Sequence, residues 1–129
     1  MTEQITLTEF AQVKLASYYG KWVVETPYTA NPFRSVSRAT RSHIRRQQGI
    51  APRLFETEAA ARKAALTEYR RREKAGKLPV KTACTFKGQP AWLMPEVDCM
   101  RHCYSLTGEY LSYLLTVGPD ANDPNFVIN

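Results

Sequence analysis

The chain of 129 residues is 43% hydrophobic and 23% charged and has a net charge of +6 at pH 7, values typical of one soluble globular domain. No apolar run approaches the roughly 20 residues of a membrane span, and the first residues lack the basic and apolar regions of a secretory signal. The three cysteines are an odd number, which excludes a complete disulfide framework and indicates a cytoplasmic protein in a reducing compartment.

The positive charge is concentrated in the middle of the chain. Residues 34–87 contain fifteen Lys and Arg against four Glu, whereas the rest of the chain has three basic residues against eight acidic ones. Residues 26–55 contain no Asp or Glu at all. This asymmetry predicts an anionic partner: nucleic acid, an acidic protein or a membrane surface. The alternative is that the cationic side chains only solvate two helices.

A capping box marks the first predicted helix. Thr6 is followed three residues later by Glu9, and Ile5 and Phe10 occupy the positions of a hydrophobic staple. Further apolar residues at helical spacing extend the predicted helix to Gly20, which is placed to end it. These residues are Leu7, Ala11, Leu15 and Tyr18.

A short strand is predicted at Trp22–Glu25, and Asn31-Pro32 then opens a basic segment, residues 32–54. Residues 35–48 within it are ambiguous. As a helix they would align arginines on one stripe, since steps of four, three and four follow the helical repeat, whereas an extended chain would scatter them. We favour the helix, although its opposite side is a poor apolar face and needs tertiary support or a partner. The stripe consists of Arg34, Arg38, Arg41 and Arg45.

The clearest helix prediction follows a Thr57 cap and covers residues 58–75, with Gly76 as its stop. Many alanines in this range are strong helix formers, and we expect the small alanine face to pack closely on a sheet. Two pairs four residues apart add support, Glu58 with Arg62 and Glu68 with Arg72.

The C-terminal half is predicted to form antiparallel strands. Val80–Phe86 alternates, residues 87–89 form a turn and residues 91–94 form the returning strand. Residues 100–106 and 110–117 are predicted to form a second hairpin, with helices as the competing interpretation because their apolar residues also have helical spacing.

Together these elements predict a single α+β domain over residues 1–117. In it, the N-terminal helix and the long alanine-rich helix pack against a mainly C-terminal antiparallel sheet. Residues 118–129 are predicted to be an irregular acidic tail.

The three cysteines could form a metal site with a nearby histidine. Cys99, His102 and Cys103 lie within five residues, and Cys84 could approach them as a fourth zinc ligand. The second closely spaced ligand pair of a structural zinc site is missing, however, and a strand would hold Cys99 and Cys103 about 13 Å apart. We therefore expect buried hydrophobic cysteines, no metal and no cofactor. The sequence has no phosphate loop, serine elbow or His-Glu-x-x-His motif, so we expect no enzyme activity.

The arginines carry the functional prediction. A guanidinium pairs bidentately with phosphate, and each such contact releases condensed counterions. The sequence therefore predicts a small, non-enzymatic, arginine-rich module that binds nucleic acid, DNA or RNA, mainly through phosphates. The predicted binding residues are Arg34, Arg38, Arg41, Arg45, Arg46, Arg53, Arg70 and Arg71.

The alternative function is a small inhibitor or adaptor, of the kind that phages and mobile elements carry, which docks on a host protein or nucleoprotein complex. Small size, no catalytic motif and a dipolar charge fit this class as well. A membrane-surface helix is disfavoured because the arginine stripe has no opposing row of large apolar side chains.

Overall fold

The computed structural model describes residues 1–16, 20–34 and 52–129. Two compact units are distinguished by their internal contacts, one made of Met1–Ile5 and Leu78–Asn129 and the other of Thr6–Lys77. Both helix and antiparallel sheet are present, so the α+β class is confirmed. In chain order the elements are β1 (Thr2–Gln4), α1 (Leu7–Phe10), β2 (Gln12–Leu15), β3 (Trp22–Glu25), α2 (Glu58–Lys74), β4 (Val80–Phe86), β5 (Gln89–Leu93), β6 (Met100–Ser105), β7 (Tyr110–Leu115), a 3-10 helix (Pro119–Asn122) and β8 (Phe126–Ile128).

The first unit is a six-stranded antiparallel sheet in which β4, β5, β6 and β7 are neighbours in chain order. The two short strands β1 and β8 pair with opposite ends of β4, on the side away from β5. Both ends of the chain are therefore tied to the same strand. The prediction that residues 1–117 form a single domain stays a prediction.

One face of this sheet is the core of the first unit. Leu93 lies opposite Cys103 and Cys84 lies opposite Ala91, so alternation along the strands points all four side chains to one side. Leu114 and Phe126 complete this buried cluster. Burial of apolar surface at about 25 cal/mol per Å² is the main force that holds such a sheet together.

Both hairpins predicted in this half of the chain are confirmed. The turn between β4 and β5 is Lys87-Gly88, with φ angles of 50° and 81°. A two-residue hairpin turn of type I′ requires positive φ angles at both residues. In the second hairpin, Met100 lies opposite Leu115 and Cys103 opposite Ser112. The competing helical interpretation is wrong here, because the cross-strand ladder uses the backbone groups that a helix would need.

The prediction of an irregular tail over residues 118–129 is wrong in two places, where the chain forms a regular element. Pro119–Asn122 is a 3-10 helix, and Phe126–Ile128 is β8, with Phe126 opposite Phe86. The rings of these two phenylalanines lie 4.9 Å apart. Burial of Phe126 in the core outweighs the turn-forming composition that suggested a tail.

In the second unit, the long helix predicted after Thr57 is present as α2. The Thr57 hydroxyl accepts a hydrogen bond from the Ala60 N–H at 3.1 Å, and both predicted Glu–Arg pairs form. Ala61 and Ala65 are buried, and the helix packs on β2, β3 and α1. Its packing on the C-terminal sheet stays a prediction.

The N-terminal helix predicted to reach Gly20 is wrong beyond its first turn. The capping box is present, with the Thr6 N–H donating to Glu9 at 2.8 Å, but α1 ends at Phe10. The next residues form β2, which pairs with β3 from Gln12–Glu25 to Leu15–Trp22. A strand such as β3 must satisfy its backbone groups on a neighbour, and this pairing overrides the local helical spacing. Accordingly Leu15 is 60% exposed instead of packed on a helix face.

The helix predicted over residues 35–48 lies outside the described residues. The same is true of Tyr18, Arg38, Arg41, Arg45 and Arg46.

The Thr57 cap provides a test of the second unit's stability. We expect Thr57→Ala to lower the free energy of unfolding by about 1 kcal/mol, because the Ala60 N–H loses its acceptor. Urea unfolding followed by far-UV circular dichroism measures this change. Thr67→Ala is the matched control: the Thr67 hydroxyl only donates back to the Lys63 carbonyl, and alanine is the better helix former, so stability should not fall.

Candidate nucleic-acid interface

Backbone pairing within the second unit joins the two ends of the basic segment, residues 32–54, which we call the arginine-rich segment from here on. The paired residues at its two ends are the base of the segment. The Arg53 N–H donates to the Phe33 carbonyl at 2.7 Å, and Arg34 and Pro52 form an antiparallel bridge. The chain therefore leaves the described part of the unit at Arg34 and returns beside it at Pro52. Arg38, Arg41, Arg45 and Arg46 all belong to the stretch between these two points.

A second pairing anchors this base to β3. Trp22 and Phe55 exchange two backbone hydrogen bonds, each 2.8 Å long. The rings of Phe55 and Phe33 meet edge to face with 6.1 Å between their centroids, and both side chains are buried. Because aromatic pairs of this geometry stabilise a core beyond their buried area, the base of the segment is fixed by packing as well as by hydrogen bonds.

The turn that leads into the segment is held by Asn31. Its side-chain nitrogen donates to the Val24 carbonyl at 3.0 Å, while its side-chain oxygen accepts from the Phe33 N–H at 2.8 Å. Asparagine often stabilises turns in this way, by replacing a backbone hydrogen bond. The Asn31-Pro32 signal in the sequence thus lies in a turn that the Asn31 side chain stabilises.

Arg34 and Arg53 flank the base, and both are exposed. Neither guanidinium contacts a carboxylate within residues 1–16, 20–34 and 52–129. The Arg53 guanidinium lies over the Phe55 ring, 4.7 Å from its centroid. This cation–π contact orients Arg53 without neutralising its charge.

Basic side chains on α2 continue the positive surface of this unit. Lys63, Arg70 and Lys74 are exposed, and steps of seven and four residues place them on one face of the helix. Lys63 also lines a shallow groove together with Arg53, which connects the base of the segment to this helix face. The binding residues predicted from the sequence do not include Lys63, although its spacing from Arg70 could have indicated it.

Arg71, a predicted binding residue, already has an anionic partner. Its guanidinium lies 2.5 Å from Glu68, which also pairs with Arg72 at 2.9 Å. The hydrogen bond from Arg71 is the largest cause that lowers the pKa of Glu68, and the same bond raises the pKa of Arg71. Arg70 has no such partner in the described part of the chain, so it is the better candidate of the two.

The two units differ in the sign of their charge. Thr6–Lys77 contains fifteen Lys and Arg against six Glu, a net charge of +9, whereas the other unit has three basic and six acidic residues, a net charge of −3. The predicted binding arginines all belong to the positive unit. Its long-range field therefore favours association with a polyanion.

The cysteines divide into a buried pair and an exposed residue. Cys84 and Cys103 are buried in the core of the sheet, where their expected role as small hydrophobic side chains is confirmed. Cys99 is instead exposed at φ 62°, in a tight connection closed by hydrogen bonds between Val97 and Met100. Burial raises the pKa of both core thiols, that of Cys103 to about 12.

Comparisons with protein-family models, with curated proteins and with solved structures found no match to this chain. Among the described residues, no helix is both long enough and apolar enough to cross a membrane. The interpretation of the site therefore depends on its own geometry and charge.

The cysteine environments predict a sharp difference in reactivity. At pH 8 we expect one thiol, Cys99, to react quickly with a disulfide reagent such as DTNB, because it is exposed while burial disfavours the thiolates of Cys84 and Cys103. Two further thiols should react only after addition of guanidinium chloride. In the control variant Cys99→Ser the fast reaction should disappear; a fast reaction that persists there would contradict the assignment.

Proposed function

We propose that this protein is a small non-enzymatic module that binds nucleic acid, DNA or RNA, mainly through phosphate contacts of its arginine-rich segment. The observation that carries the proposal is the closed base at Arg34 and Pro52. It gathers an acid-free stretch of chain onto a unit with a net charge of +9. Such a concentration of guanidinium groups is favourable when phosphates bind to them, because their mutual repulsion is then offset.

Two observations on the described residues support this mode of binding. Arg34 and Arg53 keep their guanidinium groups exposed and without a carboxylate in the described part of the chain, so no intramolecular ion pair must break there before a phosphate binds. Lys63, Arg70 and Lys74 add a row of cations on α2 of the same unit. We propose that Arg38, Arg41, Arg45 and Arg46 supply the remaining phosphate contacts.

Salt dependence is the most direct test of the proposal. With about six phosphate contacts, the logarithm of the binding constant for duplex DNA should fall against the logarithm of salt concentration with a slope of about −5. Replacing Arg38, Arg41 and Arg45 together by Gln should reduce the slope to about −3 and weaken binding at every salt concentration. Fluorescence anisotropy of a labelled duplex measures both effects. The salt concentration should run from 50 to 200 mM, because contacts of this kind change affinity by about a thousandfold or more over that range.

The matched control removes three positive charges elsewhere. Lys14 and Arg62 pair with Glu25 and Glu58, and the Lys87 ammonium lies over the Phe86 ring. Since these cations already have intramolecular partners, replacing all three by Gln should leave the slope near −5. Equal losses in the two triple variants would show that net charge alone, and not the arginine-rich segment, determines binding.

An apolar groove in the second unit favours a second candidate function. Its apolar lining residues are Leu7, Ala11, Val13, Ala65 and Leu66, and Thr8, Arg62 and Lys63 also line it. A groove with these properties suits an acidic, partly apolar protein segment, as an inhibitor or adaptor would bind. Affinity capture from lysate with and without nuclease separates the two functions, because partners held through nucleic acid are lost after nuclease treatment.

A further inference from the structure

One face of the sheet of the first unit carries a cluster of aromatic rings. Trp92 on β5 lies opposite Tyr104 on β6, and Tyr104 lies opposite Tyr110 on β7. His102 precedes Tyr104 by two residues and lies opposite Tyr113, so its side chain points to the same side. This aromatic face, on the side of the sheet opposite the buried core, consists of Trp92, His102, Tyr104, Tyr110 and Tyr113.

The rings of the aromatic face are ordered by contacts with one another. Tyr110 meets Tyr104 edge to face with centroids 5.4 Å apart, and its hydroxyl lies 3.0 Å from the Nδ1 atom of His102. Tyr110 is nevertheless 52% exposed and Tyr113 is 49% exposed. Cross-strand contacts thus fix the rings in place, while large parts of two tyrosines remain accessible to a ligand.

The strands that carry these rings bring no carboxylate of their own to the face. Strands β4 to β8 contain no Asp or Glu, and the acidic residues of this unit lie in β1, in the connections and in the 3-10 helix. Lys81 lies on the same face as Trp92, with its ammonium 4.8 Å from the centroid of a Trp92 ring, but it is only 8% exposed and lies opposite Glu3. Asp120 and Asp123 line a groove together with Tyr113, so in the part of the chain that the structure describes this face offers rings for stacking and no exposed cations for phosphate contacts.

We propose that the aromatic face binds the unpaired bases of single-stranded nucleic acid. Every base has a flat ring face that can stack on tyrosine, tryptophan or histidine, and such stacking does not depend on sequence. The bases of a duplex are already stacked on one another and cannot stack on these rings. This inference rests on the proposed function, because it adds a second kind of contact, specific for single strands, to the phosphate contacts of the arginine-rich segment.

The test compares a labelled 12-nucleotide oligothymidylate with a hairpin duplex by fluorescence anisotropy. In the double variant Tyr110→Thr/Tyr113→Thr, threonine keeps the preference for strand conformation but removes both rings. We expect its affinity for the single strand to fall about fivefold or more, with an unchanged salt slope, because stacking releases no counterions. Its affinity for the duplex should stay within about twofold of the wild-type value.

Control variants separate the rings from other properties of the face. Tyr110→Phe/Tyr113→Phe keeps both rings and should bind the single strand as the wild type does. Ile128→Thr removes an exposed apolar side chain opposite Cys84 in the sheet, away from the aromatic face, and should also have no effect. If the double threonine variant does not fold, Tyr113→Thr alone serves, since Tyr113 has no ring contact in the described part of the chain.

Trp92 gives a direct signal for stacking. In a Trp22→Phe background Trp92 is the only tryptophan. Oligothymidylate should quench its fluorescence when Tyr110 and Tyr113 are present, and much less when both are replaced by threonine. Single-strand affinity that does not change in that variant overturns the inference, while the proposed function stands if the arginine variants still weaken duplex binding. A wild-type protein that binds neither probe overturns both.

Discussion

The backbone pairing of Trp22 with Phe55 is the constraint on which the organisation of the second unit depends. Its two hydrogen bonds of 2.8 Å bring the beginning and the end of the acid-free stretch, residues 26–55, to one place. Lys21 and Glu56, the neighbours of these two residues, form an ion pair across the same junction. These contacts fix where the stretch leaves the described part of the unit and where it returns to it.

Several carboxylates of the second unit pair with cations other than Arg34 and Arg53. Glu25 pairs with Lys14, Glu58 with Arg62, and Glu68 with Arg71 and Arg72, so each of these Glu neutralises a cation outside the segment. Surface pairs of this kind add little stability, typically about 0–1 kcal/mol. Their larger effect is on the charge distribution, because they leave Arg34 and Arg53 without a carboxylate in the described residues.

Local signals in the sequence predicted the elements whose ends are set by their own side chains. The Thr57 cap of α2 and the Lys87-Gly88 turn are of this kind, since one hydroxyl and one glycine decide them. These signals do not predict the structure where a partner distant in sequence determines it. Gln12–Leu15 is a strand because it pairs with β3. Phe126 lies in the core because β8 pairs with the edge of β4. The same limit applies to the sites. Arginine clustering is visible in the sequence, whereas the aromatic face exists only through the register of three strands.

The two faces of the C-terminal sheet show how this unit can keep aromatic side chains exposed. On the core side, Arg101 donates to the Met94 and Leu93 carbonyls and to the Thr82 hydroxyl at 2.7–3.1 Å, which binds β4, β5 and β6 together through their polar groups. Burial lowers the pKa of Arg101, but these acceptors satisfy its N–H groups. Because the core and this network already hold the sheet, the rings of the other face are not needed to bury a second core. In the proposed mode of binding, stacking on these rings does not weaken with salt whereas phosphate contacts do, so the preference for single strands should increase as salt rises.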